Sequence, residues 1–273
     1  MNDFDLIKLR DFIAAKTGIF IDDDKLLKIY KRKFEDFIQK QGFEDFESFY
    51  HHLVFRKDEY LLQELINLST VNETYFFREE YQFKTLVEEA VPELDSLRSS
   101  RDSINILTAP SSSGEELYSI AIYIMEYAKE FFAKRDFVLV GIDIDSMMIK
   151  KARNGVFNQR SISKIPPHLL QKYFIQDGKQ YRIIDEIRKG LTFKVVNVMD
   201  FYAMKKLGKF DAIFSRNMLI YFDEKTRKEI LATYHALLKS HGYLFLGHAE
   251  KVPEEMEIFK RVKKGESIIY QKA

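Results

Sequence analysis

The stretch Ile104–Met125, INILTAPSSSGEELYSIAIYIM, decides how the chain is read. It opens on a short apolar run, Ile104, Ile106 and Leu107. It breaks at Pro110 and three serines, then resumes with Leu117, Ile120 and Ile124 at helical spacing. The pattern is strand, tight turn, helix. Such a turn offers free backbone N–H groups and the positive end of a helix dipole to whatever lies above the strand, as at the nucleotide-type sites of doubly wound sheets. Glu115 and Glu116 open the helix. Acids suit the dipole there but would repel a phosphate, which favours a ligand with hydroxyls or a cation. An ordinary strand–helix turn with a serine cap fits this stretch equally well.

Downstream, strands and helices alternate. Phe137–Ile142 is a buried strand run that ends in Asp143-Ile144-Asp145, and a helix begins at Met147. An acid at the end of the second strand is placed to accept hydrogen bonds from a ribose. Asp145 is expected to cap the helix, which leaves Asp143 for the ligand. Tyr173–Ile175 and Gln180–Ile184 flank an Asp177-Gly178 turn and read as a hairpin. Leu191–Val198 leads to Asn197 and Val198 as a third strand, and Phe210–Phe214 leads to Arg216 and Asn217 as a fourth. Asp223 caps a long helix, Glu224–Lys239, with Gly242 expected to close it. Tyr243–Leu246 and Glu266–Gln271 are further strands. A doubly wound, mostly parallel sheet follows, with its ligands at the strand C-termini, where Asp143, Asn197, Arg216 and Asn217 all fall.

Upstream, residues 1–70 carry only helical patterns. Leu6, Leu9 and Ile13 form a stripe ended by Gly18. Asp22–Asp24 cap a second helix with Leu27, Tyr30, Phe34 and Phe37 expected inward and Gly42 closing it. Two more helices are expected over Phe43–Leu53 and Tyr60–Leu68. Lys25, Lys28, Lys31, Arg32 and Lys33 crowd the second helix; they suit an acidic partner helix or a plain solvated face. The linker Leu68–Glu80 holds Asn72, Thr74 and Arg78 among Tyr75, Phe76 and Phe77. Three adjacent aromatics call for packing against the second domain, with the polar members aimed at a site. A helix is expected over Tyr81–Val91. The organisation is therefore a helical domain over 1–70, a linker and helix over 71–91, and an α/β domain over 92–273 with a small antiparallel insertion at about 160–190.

Composition narrows the partners. The 273 residues include 43 basic and 42 acidic side chains, a balance that disfavours a nucleic-acid substrate. Cysteine is absent, so disulfides and thiolate metal sites are excluded, and no metal is expected. The N-terminus lacks a secretory apolar core, and no run reaches the roughly 18 apolar residues of a membrane span. A cytoplasmic protein without membrane insertion, taken as a monomer, is expected.

Five motifs in order resemble the CheR family, the S-adenosylmethionine-dependent methyltransferases of chemotaxis receptors. They are Asn72-x-Thr74-x-Phe76-Phe77-Arg78-Glu79, Ser112-Ser113-Gly114-Glu115-Glu116-x-Tyr118-Ser119, Asp143-Ile144-Asp145, Arg216-Asn217-x-x-Ile220-Tyr221-Phe222-Asp223 and Gly247-His248-x-Glu250. The resemblance covers nearly the whole chain. It implies a Rossmann-like methyltransferase domain, S-adenosyl-L-methionine as cofactor with S-adenosyl-L-homocysteine as product, and the cytoplasmic helical domain of chemoreceptors as partner. The acceptor would be a glutamate side chain, converted to its methyl ester.

Carried over residue by residue, the resemblance puts Asn72, Thr74 and Arg78 at the border of cofactor and substrate entrance. It puts Gly114 in the cofactor loop, Glu115 at the methionine end and Asp143 at the ribose. Asn197 and Val198 would hold the adenine, and Arg216 and Asn217 would line the pocket. Arg78 and Tyr221 would position the acceptor; the reaction does not call for a base, so His248 is expected to be structural. The chain departs from the family at Pro110 and Ser111, where a small residue and a cysteine are usual, and at Leu117 and Ala249, where proline and serine are usual. Pro110 removes a backbone N–H from the cofactor loop and stiffens it. It also favours a second reading, a non-catalytic module that binds the cofactor or its demethylated product together with a protein partner. A small-molecule methyltransferase is a third reading and would need a closed pocket above Tyr221. The tight turn at 176–179 implies recognition without a receptor tether.

Overall fold

The structure, a computed structural model, describes residues 1–99 and 102–273. Four helical stretches open the chain: Asp3–Thr17, 23–40, Phe46–Phe55 and Glu59–Ser69. Asn2, Asp22, Asp45 and Asp58 cap them, each side chain accepting from a backbone N–H three residues on. The core of this bundle joins Leu6, Leu9 and Ile13 to Leu26, Tyr30, Phe34 and Ile38. Leu27 was expected inward but is 50 % exposed. Leu26–Tyr30 is a π-helical turn, and the inward row runs in steps of four from Leu26, which rotates Leu27 out and leaves Phe37 half-buried.

Among the described residues ten strands follow, β1 (Ile104–Thr108), β2 (Phe137–Asp143), β3 (Val156–Asn158), β4 (Phe174–Asp177), β5 (Gln180–Ile183), β6 (Leu191–Val195), β7 (Phe210–Ser215), β8 (Leu238–Leu246), β9 (Phe259–Lys264) and β10 (Ser267–Lys272). Seven form one sheet in the order β6-β2-β1-β7-β8-β10-β9. The pairs from β6 to β8 are parallel, and β10 runs antiparallel to both β8 and β9. The doubly wound α/β expectation holds, closed by an antiparallel edge. One face of the sheet packs on the helices 80–97 and Glu115–Tyr127 through Phe83, Leu86, Ile120 and Phe214; the other packs on Glu224–Leu237 through Leu107, Ile213 and Tyr234.

β9 went unpredicted because Lys260, Arg261, Lys263 and Lys264 hide its period. As an edge strand it can carry cations that keep other strands from adding to it. The expected hairpin is a three-stranded sheet, β3-β5-β4, with Gly178 at positive φ in its two-residue turn. The helix expected over Tyr81–Val91 runs to Leu97, and β6 stops at Val195, so Asn197 and Val198 lie in the loop beyond it. Gly242 does not end the preceding helix. That helix stops at Leu237, Gly242 lies inside β8, and His241 takes the positive φ instead. A Cβ on Gly242 would stand 3.0 Å from the Asp211 carbonyl, so the glycine serves close strand approach.

The linker is sewn to the sheet domain, as its aromatics led one to expect. The Phe76 N–H donates to the Ser161 carbonyl at 2.9 Å and the Phe77 N–H to Ser119 Oγ at 3.1 Å. Phe76 is fully buried, its ring edge-on to Phe157 at 4.8 Å and to Phe174 at 5.1 Å. Phe76→Ala should therefore lower unfolding stability by about 3–5 kcal/mol in a denaturant titration. A loss under about 1 kcal/mol would contradict this packing account.

Candidate functional site at the strand ends

A cavity of about 280 Å³ lies where the C-terminal ends of β1, β2 and β7 meet the linker and the N-terminal helices. That is near the lower bound of small-molecule sites. Asp143 ends β2, is buried, and lines the cavity. Its carboxylate accepts from the Ser112 N–H at 2.8 Å and the Asp145 N–H at 2.9 Å, and each oxygen keeps a lone pair. Burial nevertheless pushes its pKa up to about 6. Asp145 caps the helix Ser146–Asn154, as expected, and its second oxygen accepts from Thr70 Oγ1 at 2.6 Å and Asn72 Nδ2 at 2.8 Å.

Asn72, Thr74, Arg78, Asn197, Val198, Arg216, Asn217 and Tyr221 all line this one cavity. Some spend their polar groups within the protein. Asn197 donates to the Lys16 carbonyl at 2.9 Å and accepts from the Met199 N–H at 2.9 Å, which ties the first helix to the loop after β6. The Asn217 N–H goes to Glu250 at 2.7 Å. Arg78 donates to the Glu73 carbonyl at 3.1 Å and lies 5.8 Å from the Tyr75 ring. Among the described residues Arg78 has no carboxylate partner, so no ion pair of its own bridges the domains.

Two predicted residues fall outside the lining. Gly114 turns the loop at φ +96 beneath Tyr118 and Phe193. Glu115 points into the protein and accepts from Ser113 Oγ at 2.7 Å and Ser161 Oγ at 3.0 Å. The acid that faces the cavity is the next one, Glu116. One helical residue turns a side chain through about 100°, and the sequence pair Glu-Glu does not say which member faces the strand ends. Glu116 lies 2.8 Å from Arg216 Nη1, and Glu79 lies 3.6 Å from Nη2, which also donates to the Arg78 carbonyl. Burial, opposed by Arg216, raises the Glu116 pKa to about 7. Three of the loop's N–H groups, expected to be free, are bonded within the protein: Ser111 donates to Ile142, Ser112 to Asp143 and Gly114 to Ser111. His248 is exposed and lines a separate groove beside Gln82 and Arg261.

The family profile "CheR methyltransferase, SAM binding domain" matches residues 72–268. The chain belongs to this family. It is 36% identical over 267 residues to chemotaxis protein methyltransferase 2 of Vibrio cholerae, covering 97% of this chain and 92% of that protein. It is 32% identical over 270 residues to the chemotaxis protein methyltransferase of Campylobacter jejuni, covering 97% and 96%. Against chemotaxis protein methyltransferase 1 of Pseudomonas aeruginosa the identity is 30% over 273 residues, covering 98% and 97%.

CheR methyltransferases take their methyl group from S-adenosylmethionine, and the cavity suits that cofactor. Ser111 Oγ, Ser112 Oγ, Glu116 Oε1 and Arg216 Nε are buried without a hydrogen-bond partner among the described residues. All belong to residues that line the cavity. Buried polar atoms are rarely left so, and a ligand bearing hydroxyls, an ammonium and a carboxylate would satisfy them.

The Glu116 pKa has a checkable sign. A carboxyl whose pKa is higher folded than unfolded makes the folded state bind more protons, so its contribution to stability falls as pH rises from about 4.5 through about 7. Glutamine mimics the protonated form. Relative to the parent, Glu116→Gln should gain about 2–3 kcal/mol of unfolding stability on going from pH 5 to pH 8. A stability difference that does not change with pH would refute the shift.

Proposed function

We propose that this chain methylates glutamate side chains on the cytoplasmic helical domain of chemoreceptors, acting as a cytoplasmic monomer. The observation that carries the reading is the state of Arg78. It is half-buried in the cavity wall, with no carboxylate within 4 Å among the described residues. A guanidinium with free donors in such a wall is ready for a bidentate carboxylate. Tyr221 lines the same cavity from the turn Leu219–Tyr221 and can orient that carboxylate by a hydrogen bond.

When bound, S-adenosylmethionine supplies a methyl group already activated by its sulfonium. The chain's residues then have three tasks. Asp143, largely ionised at neutral pH, accepts from the ribose hydroxyls, and Asn197 and Val198 flank the adenine. Glu116 and Arg216, not Glu115, offer a carboxylate and a guanidinium to the ammonium and carboxylate of the methionine end. Arg78 and Tyr221 hold the acceptor in line and help strip it of water. A glutamate is ionised at neutral pH, so no general base is called for, and neither His248 nor a metal enters the scheme.

The N-terminal helices support a protein acceptor. Lys25 and Phe20 line the cavity from that domain, and Phe20 is 61% exposed. The basic run itself is largely neutralised: Lys25, Lys28 and Lys31 lie 3.0–3.2 Å from Asp22, Asp24 and Asp3. Recognition by charge alone is thereby weakened, and Arg78 is the cavity-lining cation with no carboxylate within 4 Å among the described residues. No helix among the described residues is long and apolar enough to cross a membrane.

With radiolabelled S-adenosylmethionine and receptor-bearing membranes, the chain should put base-labile label on a receptor band. Arg78→Ala should reduce that transfer roughly 100-fold while S-adenosylhomocysteine affinity stays within about threefold. Tyr221→Phe should cost about tenfold. Equal loss of binding and transfer in Arg78→Ala would contradict its assignment to the acceptor.

A further inference from the structure

Glu250 stands outside the cavity lining, yet its carboxylate gathers three backbone N–H groups. Oε2 accepts from Asn217 at 2.7 Å and Gly247 at 2.8 Å, and Oε1 accepts from Leu219 at 2.7 Å. No cation stands within 4 Å of it among the described residues, so these three dipoles are what hold its charge. The arrangement needs Gly247. A Cβ there would lie 2.7 Å from Glu250 Oε2, 3.0 Å from the Asn217 N and 3.1 Å from Asn217 Nδ2.

The clamped segment is the loop after β7 that carries Asn217, at φ +57, and the turn Leu219–Tyr221. Left-handed backbone at a non-glycine residue costs free energy and persists only where the surroundings impose it. Here Glu250 bonds the N–H of that residue and the N–H two positions on. The same turn receives the Phe20 N–H on its Tyr221 carbonyl at 3.0 Å, which carries the clamp's effect to the N-terminal helices.

We infer that Glu250, working with Gly247, is a positioning residue that holds the Asn217–Tyr221 loop in the cofactor-binding shape. Without the clamp the loop relaxes, and the cofactor must restore it on binding. Apparent affinity then falls by the fraction of molecules still in the competent shape. The inference rests on Asn217 belonging to the cofactor site. It does not depend on the methyl acceptor, since S-adenosylhomocysteine binds without one.

The test is calorimetry of the full chain with S-adenosylhomocysteine, alongside thermal unfolding of the unliganded protein. In Glu250→Gln the amide group must face at least one N–H, donor against donor. Affinity should drop about tenfold or more. Gly247→Ala strikes the same clamp from the other side and should weaken binding in the same direction, which also serves if Glu250→Gln does not fold. Val252→Ala truncates a nearby buried side chain without touching the clamp and should bind within about twofold of the parent at a comparable loss of melting temperature. In an Asn217→Ala background, Glu250→Gln should cost less than about threefold, because its route to the ligand is gone. Parent-like affinity in both clamp variants would overturn the inference. So would an equal loss in Val252→Ala, or an undiminished effect of Glu250→Gln in the Asn217→Ala background.

Discussion

One buried guanidinium ties the linker to the strand ends. Arg216 leaves the end of β7, lies beside Glu116 on the helix after β1, and reaches Glu79 and the Arg78 carbonyl on the linker. Its side chain is 2% exposed. A charge so placed is tolerable only if paired, and here the pairing spans three segments far apart in sequence. Drift of the linker from the strand ends would therefore strip this buried cation of two of its three partners. Arg78, which in the proposed scheme faces the acceptor, has its peptide carbonyl held by Arg216.

The N-terminal helices are fastened to the same region by a separate set of bonds. Gln63 donates to the Ile144 carbonyl, Asn67 to Ser146, Thr70 and Asn72 to Asp145, and Asn197 to the Lys16 carbonyl. Each joins a helix or linker residue to the loops after β2 and β6. The cavity is thus walled by the N-terminal helices and linker on one hand and by the strand ends on the other. In the proposed scheme this geometry replaces acid–base catalysis: the groups that hold the domains together also aim the reactants.

Much of this was legible in the sequence, for reasons that can be named. The alternation of apolar strands with helix-period segments fixed the doubly wound sheet, and the rule that ligands sit at strand C-termini put Asp143, Asn197, Arg216 and Asn217 in one place. The three adjacent aromatics of the linker marked it as packed. What escaped was local. The face presented by Glu115 or Glu116 depends on one helical step, and the π turn at Leu26–Tyr30 shifted the inward row past Leu27. Gly242 looked like a helix end because a glycine serves close strand contact as readily as a left-handed cap. β9 was masked by edge cations. The work of Glu250 was invisible, because three backbone N–H groups meeting on one carboxylate leave no pattern in side-chain spacing.

The most direct measurement of the central claim is a crystal structure of the full chain with S-adenosylhomocysteine bound. The account predicts ribose hydroxyls within hydrogen-bond distance of Asp143, adenine beside Asn197 and Val198, and the amino-acid end at Glu116 and Arg216. It also predicts the sulfur facing the side of the cavity that holds Arg78 and Tyr221. A ligand seated in the groove beside Gln82 and Arg261, or one lying in the main cavity with Asp143 untouched and the sulfur turned from Arg78, would contradict it.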